Sequence, residues 1–399
     1  MTTTCLLALM EPAWNVALGT PEPDDLGEAA GLTPESVPGA SAQNQSGESH
    51  SRPSGDATAR GYARVYGTRK KSRLATVDSG PDGELGVSMS RRMDHANASS
   101  PTLYLDGRLT YESIGHRRGG RLDQTEIRVQ FSDLWSGAIG KERNRRSPGL
   151  IVSPSDFLHS QQSLPGMPEE RGGVWLIRAS RQSQSGGVDI VALPFRYERD
   201  NGMPDVESSI TRPDAAKPGG IAVRTFARTG GFDLELDAGR MRGDFVAGAS
   251  IQKITASGWK SYLEAGWTDA NKKADYLAGI GYEGSSDWSS RIEIYHHGSG
   301  LDRDGVKHMS AAPQSMFMRK EYAIVSVTFP EIRDRLNLVE TWIRGLEDRG
   351  WLNLARAEWI VDGADVAGIT LTHIATAAGT QFARRPLDWQ AQIDWKTSF

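Results

Sequence analysis

The segment Tyr295-His296-His297-Gly298-Ser299-Gly300 carries the residue types of nucleophilic catalysis. A histidine two residues before a serine offers a base and a hydroxyl for acyl transfer, provided the two share a face. On a β-strand, residues two apart do share one. Gly279-Ile280-Gly281-Tyr282-Glu283-Gly284 has the G-x-G-x-x-G spacing of a dinucleotide loop. That loop must open a helix, whereas here it runs into Ser285-Ser286-Asp287, so it reads as a close-packed hairpin. Asp302-Arg303-Asp304-Gly305 could offer oxygens to Ca²⁺, but the intervening arginine makes a solvated loop the better reading. The 8 histidines show no H-E-x-x-H spacing, and neither a Walker motif nor a nucleophile elbow occurs. No cofactor and no metal is therefore expected. The single cysteine, Cys5, excludes an intramolecular disulfide framework and a cysteine-rich metal site.

What positions these residues is a repeating pattern. From about residue 60, apolar and polar residues alternate in segments of roughly ten, separated by Gly, Asp, Asn, Ser or Arg clusters. Ile127, Val129 and Phe131 stand against Glu126, Arg128 and Gln130. Phe232, Leu234 and Leu236 oppose Asp233, Glu235 and Asp237. Trp259, Leu263 and Trp267 oppose Lys260 and Glu264, and Ile292 and Ile294 oppose Arg291 and Glu293. Successive strand side chains point to opposite faces, so each segment has one apolar and one charged face. Aromatic residues stand at the ends of many apolar rows, as at membrane interfaces. The pattern predicts about eighteen strands, near 60–69, 83–93, 101–112, 122–132, 134–142, 173–182, 186–198, 219–229, 231–241, 243–254, 258–268, 273–283, 287–297, 320–330, 334–345, 350–361, 364–376 and 386–399. The first two strands and the parity around residues 322–360 are open, and sixteen also fits, since bacterial barrels have even counts. The expected fold is all-β: a transmembrane antiparallel β-barrel of about 16–18 strands spanning residues 59–399. Tight connections at Gly230-Gly231, Arg242-Gly243 and Asp362-Gly363 contrast with long ones at 143–172, 199–218 and 298–319.

The chain ends in Phe399, and steps of two upstream give Thr397, Trp395, Ile393, Ala391, Trp389 and Leu387. In this terminal strand the sequence resembles the outer-membrane β-barrel proteins of Gram-negative bacteria, porins among them. The resemblance covers the last thirteen residues closely and the other strands in pattern only. It implies an outer-membrane location. It also implies that Trp389, Ile393, Trp395 and Phe399 form the signal read by the barrel assembly machinery. The His297-x-Ser299 pair is similar to the base and nucleophile of outer-membrane phospholipase A, although Gly300 stands where that family has Asn. Parity opposes a lipid hydrolase. With Ile292 and Ile294 toward lipid, His297 and Ser299 fall on the row of Arg291 and Glu293, so the segment reads as a strand end entering a Gly-rich loop.

Composition agrees with a barrel more than it first suggests. The formal charge of −4 argues against a duplex nucleic-acid partner. Mean hydropathy is −0.47, and no apolar run approaches the length of a spanning helix. A barrel strand turns only half its residues to lipid, so a hydrophilic average does not exclude one. The 44 glycines and 11 tryptophans find places in tight turns and interface belts. Residues 1–58 are expected to be a leader, with Cys5–Met10 similar to the end of a truncated signal peptide, followed by a disordered Pro/Gly/Ser-rich linker.

By parity, Glu126, Arg128, Arg178, Arg224, Arg228, Lys260, Glu264, Arg291 and Glu293 are expected to line the lumen. Gly149–Leu158 is apolar within the longest loop, an unusual place for exposed apolar side chains. It reads either as a constriction loop folded into the lumen, through Leu150, Ile151, Val152, Asp156 and Phe157, or as a short extra strand or rim plug. Lys141, Arg143, Arg145 and Arg146 would suit lipopolysaccharide phosphates or the loop base. The expected function is a porin-like channel for small hydrophilic or charged solutes, with no catalysis. The alternatives are a polysaccharide export or structural barrel, or a lipid hydrolase using His297 and Ser299. Partners would be outer-membrane lipid and lipopolysaccharide, the assembly machinery and small solutes, as a monomer or trimer.

Overall fold

The computed structural model describes residues 58–71, 76–92, 102–112, 117–142, 147–158, 174–194, 219–241, 243–269, 272–284, 286–301, 317, 319–347, 350–362, 365–375 and 389–398. Residues 1–57 of the predicted leader and linker, with Cys5 among them, and Arg143, Arg145, Arg146 and Phe399 lie outside them, while Thr58, placed in the linker by the sequence, opens the first strand. Eighteen strands follow in order: β1 Thr58–Lys71, β2 Thr76–Arg92, β3 Thr102–Glu112, β4 Arg117–Gln130, β5 Trp135–Glu142, β6 Val174–Ser183, β7 Gly186–Leu193, β8 Gly220–Thr229 and β9 Phe232–Met241. The second half comprises β10 Asp244–Ile254, β11 Trp259–Thr268, β12 Ala274–Tyr282, β13 Ser289–His296, β14 Glu321–Ile332, β15 Leu336–Gly345, β16 Trp351–Ile360, β17 Asp365–Ala375 and β18 Trp389–Ser398. Every strand pairs antiparallel with its neighbours in sequence, and β1 pairs with β18 from Tyr62↔Ser398 to Lys71↔Trp389. The sheet is a closed barrel with no free edge, which satisfies every strand's backbone groups within the wall. Among the described residues no helix is long and apolar enough to cross a membrane.

All eighteen segments expected from alternation are present. Up-and-down order sends the connections alternately to two ends. One end has the short turns 131–134, 184–185, 230–231, 255–258, 283–288, 333–335 and 361–364, along with the longer 93–101. The other carries the long loops 143–173, 194–219, 297–320 and 376–388. The tight turn 242–243 also lies at the long-loop end, so the alternation of lengths is not strict. Gly230 and Gly231 adopt φ of +57° and +78°, the pair of positive values that a two-residue type I′ hairpin demands.

Burial along the strands is the reverse of that in a water-soluble sandwich. On β11, Lys260, Tyr262 and Glu264 are buried while Trp259 and Leu263 are exposed. On β13, Arg291, Glu293 and Tyr295 are buried while Ile292 and Ile294 are exposed. The charged rows thus face the barrel interior and the aliphatic rows face outward, an arrangement that is favourable only with hydrocarbon outside.

Aromatic girdles bound the aliphatic belt at both ends. At the short-turn end Tyr282 packs on Trp259 and Trp288, with ring centroids 5.3 Å and 4.8 Å away. At the long-loop end Phe245 meets Trp267 at 6.0 Å and Trp342 meets Trp351 at 5.0 Å. Leu263 is 58% exposed and lies midway between Trp259 and Trp267 on the same face of β11. Leu263→Arg is therefore expected to cost roughly 2–4 kcal/mol, read as a lower urea midpoint for unfolding from lipid vesicles.

The parity ambiguity near residue 330 has a physical cause. The β14–β15 register shifts between Phe329 and Ile332, and Glu331 takes a φ of +50°. Pro330 cannot donate to the ladder, and a bulge is one of the few places a strand tolerates proline.

Candidate functional site

Residues 147–157, which follow β5, lie against the inner wall formed by β8 to β13. Leu150, Ile151, Val152 and Asp156 are buried there, and Phe157 is half-buried. A segment without regular structure must still satisfy its backbone donors and acceptors. Two buried carboxylates on the wall do much of this. Glu264 Oε1 accepts the Gly149 N–H at 2.6 Å, and Oε2 accepts the hydroxyls of Ser153 at 2.6 Å and Ser155 at 2.9 Å. Glu293 Oε1 accepts the Leu150 N–H at 2.5 Å and also the Tyr262 hydroxyl. In return the wall donates: Arg291 Nη1 to the Pro148 carbonyl at 3.1 Å, and Arg224 Nη2 to Asp156 Oδ1 at 3.2 Å.

The strap is seated where the wall has no side chains. A Cβ on Gly266 would come 1.8 Å from the Pro154 carbonyl oxygen, and one on Gly248 would come 2.6 Å from that of Ser155. Both obstacles are backbone, so neither can swing away. Gly266→Ala is expected to lift the strap and to cost about 1–3 kcal/mol, measured as a fall in the temperature at which the folded protein changes its electrophoretic mobility. Unchanged mobility and conductance would disprove this seating.

The other residues singled out by parity form three further groups. On β4 to β6, Arg128 pairs with Glu126 at 2.5 Å and Arg178 with Glu142 at 3.1 Å. On β8 and β9, Arg224 reaches Glu235 and Asp237, each at 2.9 Å, as well as Asp156 of the strap. Arg228 pairs with Asp233 at 2.7 Å near the short-turn end, where its side chain is 55% exposed. Lys260 is buried beside the Tyr262 ring, and Arg291 pairs with Glu283 in the turn after β12. Burial alone would raise the Glu283 carboxyl, but Arg291 and then Lys260 outweigh that and hold it below its ordinary value. At the other end of the chain, Ile393 and Trp395 face outward, and Trp389 is half-buried.

Three features lay outside the sequence expectation. Arg356 on β16 pairs with Asp394 on β18 at 2.9 Å, across the space left by Gly368. Tyr322, Ile324, Ile343, Leu352, Leu354 and Ile374 are apolar yet buried on the inner wall of β14 to β17, in one cluster with Leu150, Ile151 and Val152 of the strap. The apolar strap and this apolar patch cover each other, which explains why a loop carries such residues. Asp275 joins His297 and Ser299 at the long-loop end of β12 and β13. No local signal marks any of these, because each depends on residues brought together across strands.

A closed eighteen-stranded antiparallel wall, charged over much of its inside, aliphatic outside, girdled by aromatics and with a strap packed on its inner face, is a porin-type transmembrane barrel. No protein-family model matches the sequence, and no curated relative matches it. Among solved structures the chain is similar to three from Pseudomonas aeruginosa. OccK2 (OpdF) in complex with glucuronate aligns with a TM-score of 0.59 at 11% identity, over 86% of this chain and 98% of that one. OccK3 (OpdO) aligns at 0.58 and 10% identity, over 86% and 96%. OpdL aligns at 0.57 and 11% identity, over 86% and 99%. The likeness is one of fold.

Proposed function

We propose that the chain is an outer-membrane channel that passes small hydrophilic or charged solutes through its lumen, with residues 147–157 as the constriction. One observation carries this reading: acidic and basic side chains line the inside of a closed eighteen-stranded wall whose outside is aliphatic. Barrels of this strand number enclose an aqueous passage, and mixed charge at close quarters suits water and polar solutes. Glu126, Arg128, Arg178, Arg224, Arg228, Lys260, Arg291 and Glu293 line the path in this reading, and Glu264 holds the constriction. Passage needs no catalysis, metal or cofactor. Residues 1–58 serve as leader and linker. The long loops face outward toward lipopolysaccharide, and the last strand, ending in Phe399, is the assembly signal.

The test is reconstitution into planar bilayers. Purified, heat-modifiable protein is expected to insert in discrete steps of ion current. Folded protein that carries no current would overturn the channel and favour a structural or export barrel. Liposome swelling then ranks solutes, with glucuronate, the molecule bound in OccK2, as the first to try. Cross-linking in the membrane reads the oligomeric state.

A further inference from the structure

At the long-loop end, Asp275 near the start of β12 meets His297 and Ser299, which follow β13. Asp275 Oδ1 lies 3.1 Å from His297 Nδ1 and accepts the Gly298 N–H at 2.7 Å. Ser299 Oγ lies 3.3 Å from His297 Nε2. A proton on Nδ1, donated to Asp275, leaves the Nε2 lone pair facing the serine hydroxyl, the tautomer a general base requires. The 3.3 Å contact is at the loose end of hydrogen-bond reach, as nucleophile–base contacts often are in unliganded sites.

The imidazole is held from several sides. Tyr295 is buried, stacks on it with centroids 5.9 Å apart and planes 21° apart, and donates its hydroxyl to Asp275 Oδ2 at 3.2 Å. The same hydroxyl oxygen lies 3.2 Å from His297 Nδ1. The His297 N–H donates to the Lys320 carbonyl at 2.7 Å, and the Gly300 N–H to the His297 carbonyl at 2.8 Å. The His297 and Asp275 side chains are nevertheless 24% and 25% exposed, so water and a small solute can reach them.

We propose that Ser299, His297 and Asp275 form an acyl-transfer site that cleaves small, water-soluble carboxylic esters at the mouth of the barrel. Asp275 and Tyr295 lie on the inner row, opposite in parity to outward-facing Tyr276 and Ile294. The substrate is therefore a solute in water and not a lipid acyl chain. Ser299 Oγ attacks the ester carbonyl carbon as its proton passes to His297 Nε2. The tetrahedral adduct collapses, the carbon–oxygen bond to the alcohol breaks, and His297 returns the proton to the departing alkoxide. Water, deprotonated by His297, then attacks the acyl carbon; the bond to Ser299 Oγ breaks, His297 returns the proton to that oxygen, and the carboxylic acid leaves. Asp275 is a positioning residue that fixes the imidazole tautomer and stabilises the imidazolium.

The test uses the full chain folded in detergent and a fluorophosphonate probe, read by intact mass and peptide mapping. One adduct is expected, on Ser299, absent in Ser299→Ala. His297→Gln should slow labelling by about a hundredfold or more, and Asp275→Asn should slow it as well. Wild-type labelling is expected to vary with pH, and His297→Gln should lose that dependence, which a merely structural histidine would not cause. Turnover of p-nitrophenyl acetate should follow the same order. Heat-modifiable migration certifies that each variant is folded. No adduct on folded wild-type protein, an adduct on another residue, or His297→Gln labelling at the wild-type rate would overturn the proposal.

Discussion

Replacing Glu264 with alanine should make the conductance of the proposed channel larger and unsteady. Glu264 accepts three hydrogen bonds from the strap: one from Gly149 and two from Ser153 and Ser155. Hydrogen bonds to a charged group contribute about 1.5–3 kcal/mol each, and these three act on a segment with no ladder of its own. A net loss of about 3 kcal/mol would raise the undocked fraction of the strap about a hundredfold. The strap would not leave altogether, because Glu293 still holds Leu150 and Arg224 still holds Asp156. Intermittent opening is therefore expected, seen as a higher mean single-channel conductance with added substates. Glu264→Gln keeps one acceptor and should lie between. Traces of Glu264→Ala indistinguishable from wild type would show that the strap does not narrow the passage.

The second large effect is expected at Arg224. Its guanidinium contacts Asp156, Glu235 and Asp237, and its own side chain is 8% exposed. Removing one partner from a buried ionic cluster costs about 3–5 kcal/mol, because the remaining charge keeps its desolvation and loses its compensation. Arg224→Ala would leave three carboxylates facing one another, so a clear drop in thermal stability should follow. The inner wall would also gain negative charge, and the reversal potential in a salt gradient should shift toward cations. Arg224→Lys retains the charge but not the fork that bonds Asp237 through both nitrogens, so it should restore selectivity better than stability. Equal stability of Arg224→Ala and wild type would contradict the buried cluster.

The reach of the sequence followed the range of the interactions. Alternation with period two is a local property, and it located the strands within a few residues and sorted Leu263, Ile292 and Ile294 from Glu264, Arg291 and Glu293. It faltered near Phe329, where the Pro330 bulge breaks the period. It also left open the facing of the apolar rows on β14 to β17, where parity was ambiguous. Tyr322, Ile324 and Ile343 are apolar and inward-facing, a combination that alternation assigns to lipid unless something apolar covers the inner wall.

The sequence by itself therefore determined an all-β chain, a strand count of sixteen to eighteen, which face of most strands carries charge, and an apolar loop segment that must find a surface. Only the tertiary structure decided which surface that is. The Gly149–Glu264 bond joins residues 115 apart in the chain, and Arg356–Asp394 reaches across β17 between two strands that are aligned only once the register is set. Asp275 reaches His297 for the same reason. Side-chain direction is written into each strand, but the partner of a buried charge depends on how the whole ring closes.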